Sequence, residues 1–147
     1  MIQLRKFARL PSRDRALLIR AAFLVAAVRL ALRVLPFQYL YSRLDARLRS
    51  SSRTPAHPVE PVARLAWSVR TAARLVPGAS CLTQSLALHG LLVRARQPSE
   101  IHIGVARDLH SGFLAHAWVE HAGRPWLTAP AETDRYTRLV SWGRLQA

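Results

Sequence analysis

The spacing of apolar residues changes once along this chain, near Gln97-Pro98, and that change restricts the fold more than any other feature. Before it, apolar positions recur at helical spacing. Leu17, Ala21, Leu24, Val28, Leu32 and Leu35 form one set, Val62, Leu65, Val69, Ala72 and Val76 a second, and Leu82, Leu86, His89 and Val93 a third. After it, the period becomes two. Ile101, Ile103 and Val105 alternate with His102 and Gly104. A strand from Phe113 to Glu120 puts His116, Trp118 and Glu120 on one face and Ala115, Ala117 and Val119 on the other. Gly123 marks a turn, and Arg124 to Thr128 continues as a third strand. Helices first and an antiparallel sheet second predict an α+β fold.

The punctuation supports three helices. Ser12 is the expected N-cap of the first, with Asp14 in the first turn, where the helix dipole favours a negative charge, and Pro36 as its stop. Pro61 suits the first turn of the second, which Pro77-Gly78 ends. The third runs from Cys81 to about Arg96. The chain has 147 residues, enough for one domain with a real core. Its single Ser/Pro-rich stretch, Ser50 to Pro58, divides it into a helical region (residues 1–50), a linker or loop (51–58) and a core (59–147).

Charge narrows the partners. The chain carries 22 basic residues against 8 acidic ones, a formal charge of +14, which attracts nucleic acid, anionic lipid or acidic protein. Arginines are spread through every segment without the aromatic-basic interleaving of RNA-binding surfaces, so specific nucleic-acid recognition is not expected. The apolar stretch from Ala16 to Leu35 is interrupted by Arg20, Arg29 and Arg33. Each costs about 2.5 kcal/mol or more at mid-bilayer, so neither a transmembrane span nor an export signal is expected. The single cysteine, Cys81, excludes an internal disulfide and fits a cytoplasmic setting. The histidines His57, His89, His102, His110 and His121 lack metal-ligand spacing, and no Gly-rich phosphate loop is present, so no metal or cofactor is expected.

Cys81 follows Pro77-Gly78-Ala79-Ser80 at the start of a helix. Unpaired amides and the dipole there favour a thiolate and are placed to hold an oxyanion. His116, between Ala115 and Ala117, is the candidate base, since its small neighbours leave room for a substrate chain. Taken alone, a lone cysteine in an apolar helix is more often a small buried hydrophobe. A strand histidine is likewise more often structural. A helix-borne cysteine followed by a strand-borne histidine is nevertheless the layout of papain-like and transglutaminase-like cores.

Several ordered motifs sharpen this reading. Ser80-Cys81-Leu82-Thr83-Gln84-Ser85-Leu86-Ala87-Leu88 is followed by Leu91-Leu92-Val93-Arg94, Ile103-Gly104-Val105, Ala115-His116-Ala117-Trp118-Val119-Glu120 and Gly123-Arg124-Pro125. Together they resemble the bacterial leader peptidase of lasso-peptide biosynthesis, in the form where the protease is separate from the leader-binding protein. The match spans roughly residues 60 to 130, with the helical start matching more loosely. The resemblance implies a transglutaminase-like cysteine protease with a Cys-His-Asp triad that removes a leader from a precursor peptide. Cleavage follows a Thr-X pair, a small recognition protein presents the leader, and a lasso cyclase closes the freed product. Cys81 carries over as nucleophile and His116 as general base. The family's aspartate falls on Thr128, a departure that leaves Glu120, Glu132 and Asp134 open as carboxylate alternatives. The apolar, basic stretch from Leu17 to Leu35 reads first as a core-packing helix, with partner docking or membrane-surface binding as the alternative, which makes residues 1–50 a candidate docking region. Two readings from other classes stand beside it: a non-catalytic helical adaptor in the maturation complex, and a basic nucleic-acid-binding accessory protein.

Overall fold

A computed structural model of the chain describes residues 10–49, 60–108 and 112–142. The Ser/Pro-rich stretch, with His57, and also His110 lie outside these residues. The first helix, α1, spans Ser12–Val34 and buries Leu17, Leu18, Ala21, Val25 and Val28 along one face. Ser12 is not its cap. Pro11 holds that position with no side-chain cap bond, and its carbonyl receives the Asp14 and Arg15 amides. Asp14 is held by the guanidinium of Arg64 on the second helical stretch of the core, so the expected dipole partner is also a tertiary clamp. Leu35 is extended, as the residue before a proline must be, and the helix stops there.

Pro36 ends α1 without ending helical structure. Its carbonyl accepts from Tyr39 and Leu40 and opens a second helix, α2, over Phe37–Arg49, which the apolar spacing did not distinguish. Tyr41 of α2 is buried and stacks on His89, with ring centroids 5.4 Å apart. Helix α3, Val62–Ala73, buries Leu65, Ala66, Ser68, Val69 and Ala72. Helix α4, Cys81–Arg94, lies at the centre, with Leu86, Ala87, Leu88 and Leu92 fully enclosed. One apolar cluster joins α1, α2, α3 and α4 to Ile101 and Val119 of the sheet. The helical region and the sheet therefore share a core.

The sheet has four antiparallel strands in the order β3-β2-β1-β4. Strand β1 is Glu100–Asp108, β2 is Gly112–His121, β3 is Arg124–Trp126 and β4 is Thr137–Trp142, with a short helix, α5, at Pro130–Thr133. The α+β architecture read from the sequence is the architecture observed. Two strands differ. The third strand stops at Trp126 because Leu127 adopts a positive φ of 70°, which turns the chain out of the strand. The fourth strand, β4, had no sequence signature. It is an edge strand exposed at nearly every position, so it lacks the alternation that identifies a half-buried strand. No described helix is long and apolar enough to cross a membrane.

Candidate active site

Cys81 is the first residue of α4 and is half-buried. Ser80 caps the helix: its hydroxyl accepts from the Thr83 amide at 3.3 Å and lies 3.1 Å from the Thr83 hydroxyl. That cap occupies the third amide of the turn, and the amides of Cys81 and Leu82 before it have no acceptor within the helix, as at any helix start. The turn before the helix depends on Gly78, whose φ is +72°. A Cβ there would lie 2.7 Å from the guanidinium of Arg29, so α1 closes down on this turn.

His116 is half-buried on β2, and its Nε2 lies 2.9 Å from Oγ1 of Thr128. The turn at Leu127 is what carries Thr128 to the imidazole. With Nε2–H donating to the hydroxyl, Nδ1 keeps its lone pair and is the nitrogen available to take a proton. The helix and the strand are tied beside this point. Ser85, one turn after Cys81 on α4, donates to the carbonyl of Ala117, the residue after His116, at 3.1 Å. Sequence reasoning missed Ser85, although its spacing of four from Cys81 puts both on one helical face.

The carboxylate alternatives behave differently. Glu120 shares the face of His116 but accepts from Trp118 Nε1 at 3.0 Å and from Arg138 at 2.6 Å. Glu132 and Asp134 are exposed around α5 and make no hydrogen bond to His116. Among the described residues, Thr128 is the hydrogen-bond partner of His116, and no group of three His, Cys, Asp or Glu side chains is placed to hold a metal ion.

A family profile decides the affiliation. The profile of the transglutaminase-like superfamily matches residues 7–141. The chain belongs to that superfamily. No curated protein and no solved structure matches it at a significant level. This transglutaminase-like chain thus joins a group that includes cysteine peptidases, and Cys81 at a helix start with His116 on the sheet is consistent with that chemistry. Thr128, the hydrogen-bond partner of His116, is neutral.

The face that carries His116 is packed with rings and ionisable groups. Trp118, fully buried, stacks on His116 (centroids 6.2 Å) and on His102 (5.5 Å). His102, read from sequence only as part of a polar alternation, is 2% exposed. Its Nδ1 bonds the Ser141 hydroxyl at 2.7 Å, and its Nε2 lies 3.3 Å from a Glu120 carboxylate oxygen. Burial pushes its imidazole below the ordinary 6.5; Glu120 and Glu100 oppose this and Arg138 adds to it. A lowered value means the unfolded chain takes up this proton first. The His102 contribution is therefore fully present above about pH 6.5 and is lost as pH falls below it. Urea denaturation at pH 8 and pH 5.5 should show a smaller stability loss on acidification in His102→Asn than in the natural chain. Equal losses would show that other groups carry the acid sensitivity.

Proposed function

We propose that this chain is a bacterial, cytoplasmic cysteine peptidase that removes the leader from a ribosomally made lasso-peptide precursor. Cys81 attacks the scissile carbonyl, and His116 takes the thiol proton at Nδ1 and returns it to the leaving amine. The Cys81 and Leu82 amides receive the developing oxyanion. Water then releases the leader from the thioester. The observation that carries this reading is the His116–Thr128 hydrogen bond, which orients the imidazole, beside the Ser85–Ala117 bond that ties the cysteine helix to that strand. The ordered motifs from Ser80 to Pro125 support the leader-peptidase assignment. The partners are the precursor peptide, a leader-binding recognition protein and a lasso cyclase.

A specific observation favours one rival. Thr128 carries no charge, so the chain would serve equally as a non-catalytic adaptor if Cys81 were inert. Labelling with a thiol electrophile separates the two: alkylation of Cys81 well above the rate of a free thiol at pH 7 supports the enzyme, and an unreactive thiol supports the adaptor.

Thr128 gives a graded prediction. Thr128→Val removes one hydrogen bond and should lower kcat/KM by about 1 kcal/mol, roughly fivefold. Thr128→Asp should raise turnover or leave it unchanged. Steady-state kinetics on precursor plus leader-binding protein reads both. If Thr128→Val is silent while Glu132→Ala or Asp134→Ala matches His116→Ala, a carboxylate orients the imidazole instead.

We propose the outer side of α1 as the partner-docking surface, since its inner face is occupied by the core. Ile19, Phe23, Leu30 and Val34 form an exposed apolar stripe on the opposite side. Burying one such side chain is worth about 1.5–3 kcal/mol. The double change Phe23→Ser and Leu30→Ser should therefore reduce cleavage of presented precursor by roughly tenfold or more, and leave Cys81 alkylation unchanged. Equal loss of both would place the stripe in the fold rather than in docking.

A further inference from the structure

Thr128 leaves a deficit at His116. A hydroxyl orients an imidazole but cannot balance the positive charge that the ring acquires when it takes the thiol proton. Among the described residues no carboxylate bonds His116, and the nearest on its face, Glu120, is held by Trp118 and Arg138. What the ring does have is aromatic surface. Tyr136, between α5 and β4, sits with its centroid 5.2 Å from that of His116, tilted by 30°. Trp118 lies 6.2 Å away, nearly parallel at 16°. The three rings enclose one another, with Trp118 and Tyr136 6.4 Å apart.

The two aromatic rings are not equivalent. Trp118 already has the Arg138 guanidinium 5.6 Å from its ring centre, so its electron-rich face is shared with a cation. Tyr136 has no such competitor among the described residues. Its position is also enforced. Gly104 is paired with His116 across β1 and β2, and a Cβ at Gly104 would lie 2.9 Å from Cβ of Tyr136, 3.0 Å from the Thr137 carbonyl and 3.0 Å from the Trp118 ring. No real side chain approaches so closely. The absence of a side chain at Gly104 is what admits Tyr136 to the face of the sheet.

Resting on the cysteine-peptidase reading, we propose that Tyr136, seated over Gly104, is a positioning residue that stabilises the charged imidazolium of His116 through its ring face. It takes over part of the role of the missing carboxylate. A cation within about 6 Å of an aromatic centroid is attracted by the ring quadrupole. The hydroxyl of Tyr136 has no part in this, so ring electron density, not hydrogen bonding, is the variable to change.

The test compares Tyr136→Phe, Tyr136→Leu and replacement of Tyr136 by pentafluorophenylalanine, which keeps the shape of the ring and reverses its quadrupole. The midpoint of the His116 imidazole titration is followed by NMR in the natural chain and in a Cys81→Ala background, alongside kcat and KM. Glu100, His102, Glu120 and Arg138 on the same face, Cys81 on α4, and Glu132 and Asp134 around α5 stay constant across the ring variants. The phenylalanine variant should keep the natural midpoint and kcat. The leucine and pentafluoro variants should move the midpoint down by about half a unit or more and lower kcat by roughly 2- to 30-fold with KM unchanged. If leucine disturbs folding, the pentafluoro ring alone decides. Equal midpoints for the phenylalanine and pentafluoro variants, or a phenylalanine variant as impaired as leucine, would overturn the proposal. A midpoint shift in a chain whose Cys81 is inert would keep the Tyr136 assignment and remove the peptidase.

Discussion

His116→Ala is expected to suppress leader removal by about 10²- to 10⁴-fold, the range over which a positioned acid–base group contributes. Cys81→Ala should abolish it, and the double variant should be no worse than Cys81→Ala alone, because nucleophile and base act as a unit. The reason is local. Cys81 is the first residue of a helix capped by Ser80, and Thr128 lies 2.9 Å from Nε2 of His116, which leaves Nδ1 as the nitrogen without that partner. His116 is half-buried and is not part of the apolar core cluster, so His116→Ala leaves that cluster complete. Urea denaturation should therefore show the fold retained while single-turnover cleavage collapses. Activity surviving in His116→Ala would require another base.

Trp118→Ala should have the largest effect on stability, a loss of about 3–5 kcal/mol. The indole is the largest fully enclosed side chain, touching His116, His102 and Tyr136 and donating to Glu120 at 3.0 Å. Its removal empties the space between the imidazole of His116 and the buried His102. Against a total of about 5–15 kcal/mol for a domain, such a loss leaves little in reserve. Trp118→Phe keeps most of the packing and gives up the hydrogen bond, so it should cost distinctly less. A cost below about 1 kcal/mol for Trp118→Ala would mean that this face of the sheet is not a packed layer.

The helix faces were legible because Leu65, Val69 and Ala72, or Leu86 and Leu92, bury one side of a helix against one core, and burial of one side is what creates a period. Helix α2 was not, because its boundary with α1 is a single proline whose carbonyl starts the next helix. Strand β4 was not, because Leu139 and Val140 are adjacent and both exposed. The Ser12 cap failed because Pro11 supplies the fixed φ and the carbonyl that start the helix. At the site, Cys81 and His116 were singled out from helix-start and strand chemistry and Thr128 from the motif resemblance, and the structure shows Cys81 at a helix start, His116 on a strand and Thr128 bonded to it. Tyr136 and Gly104 were invisible: their meeting depends on the turn through α5 and on the pairing of β1 with β4, both set by distant residues. His102 read only as the residue alternating with Ile101 and Ile103, and its burial beside Ser141 and Glu120 involves residues 39 and 18 positions away.

The central claim, that the Cys81 thiol cuts a precursor peptide, is tested most directly by mass spectrometry of that precursor. It is incubated with the leader-binding protein and either the natural chain or Cys81→Ala. The account predicts two fragments, leader and core, from the natural chain and intact precursor from Cys81→Ala. Intact precursor in both reactions, or the same two fragments in both, would contradict it.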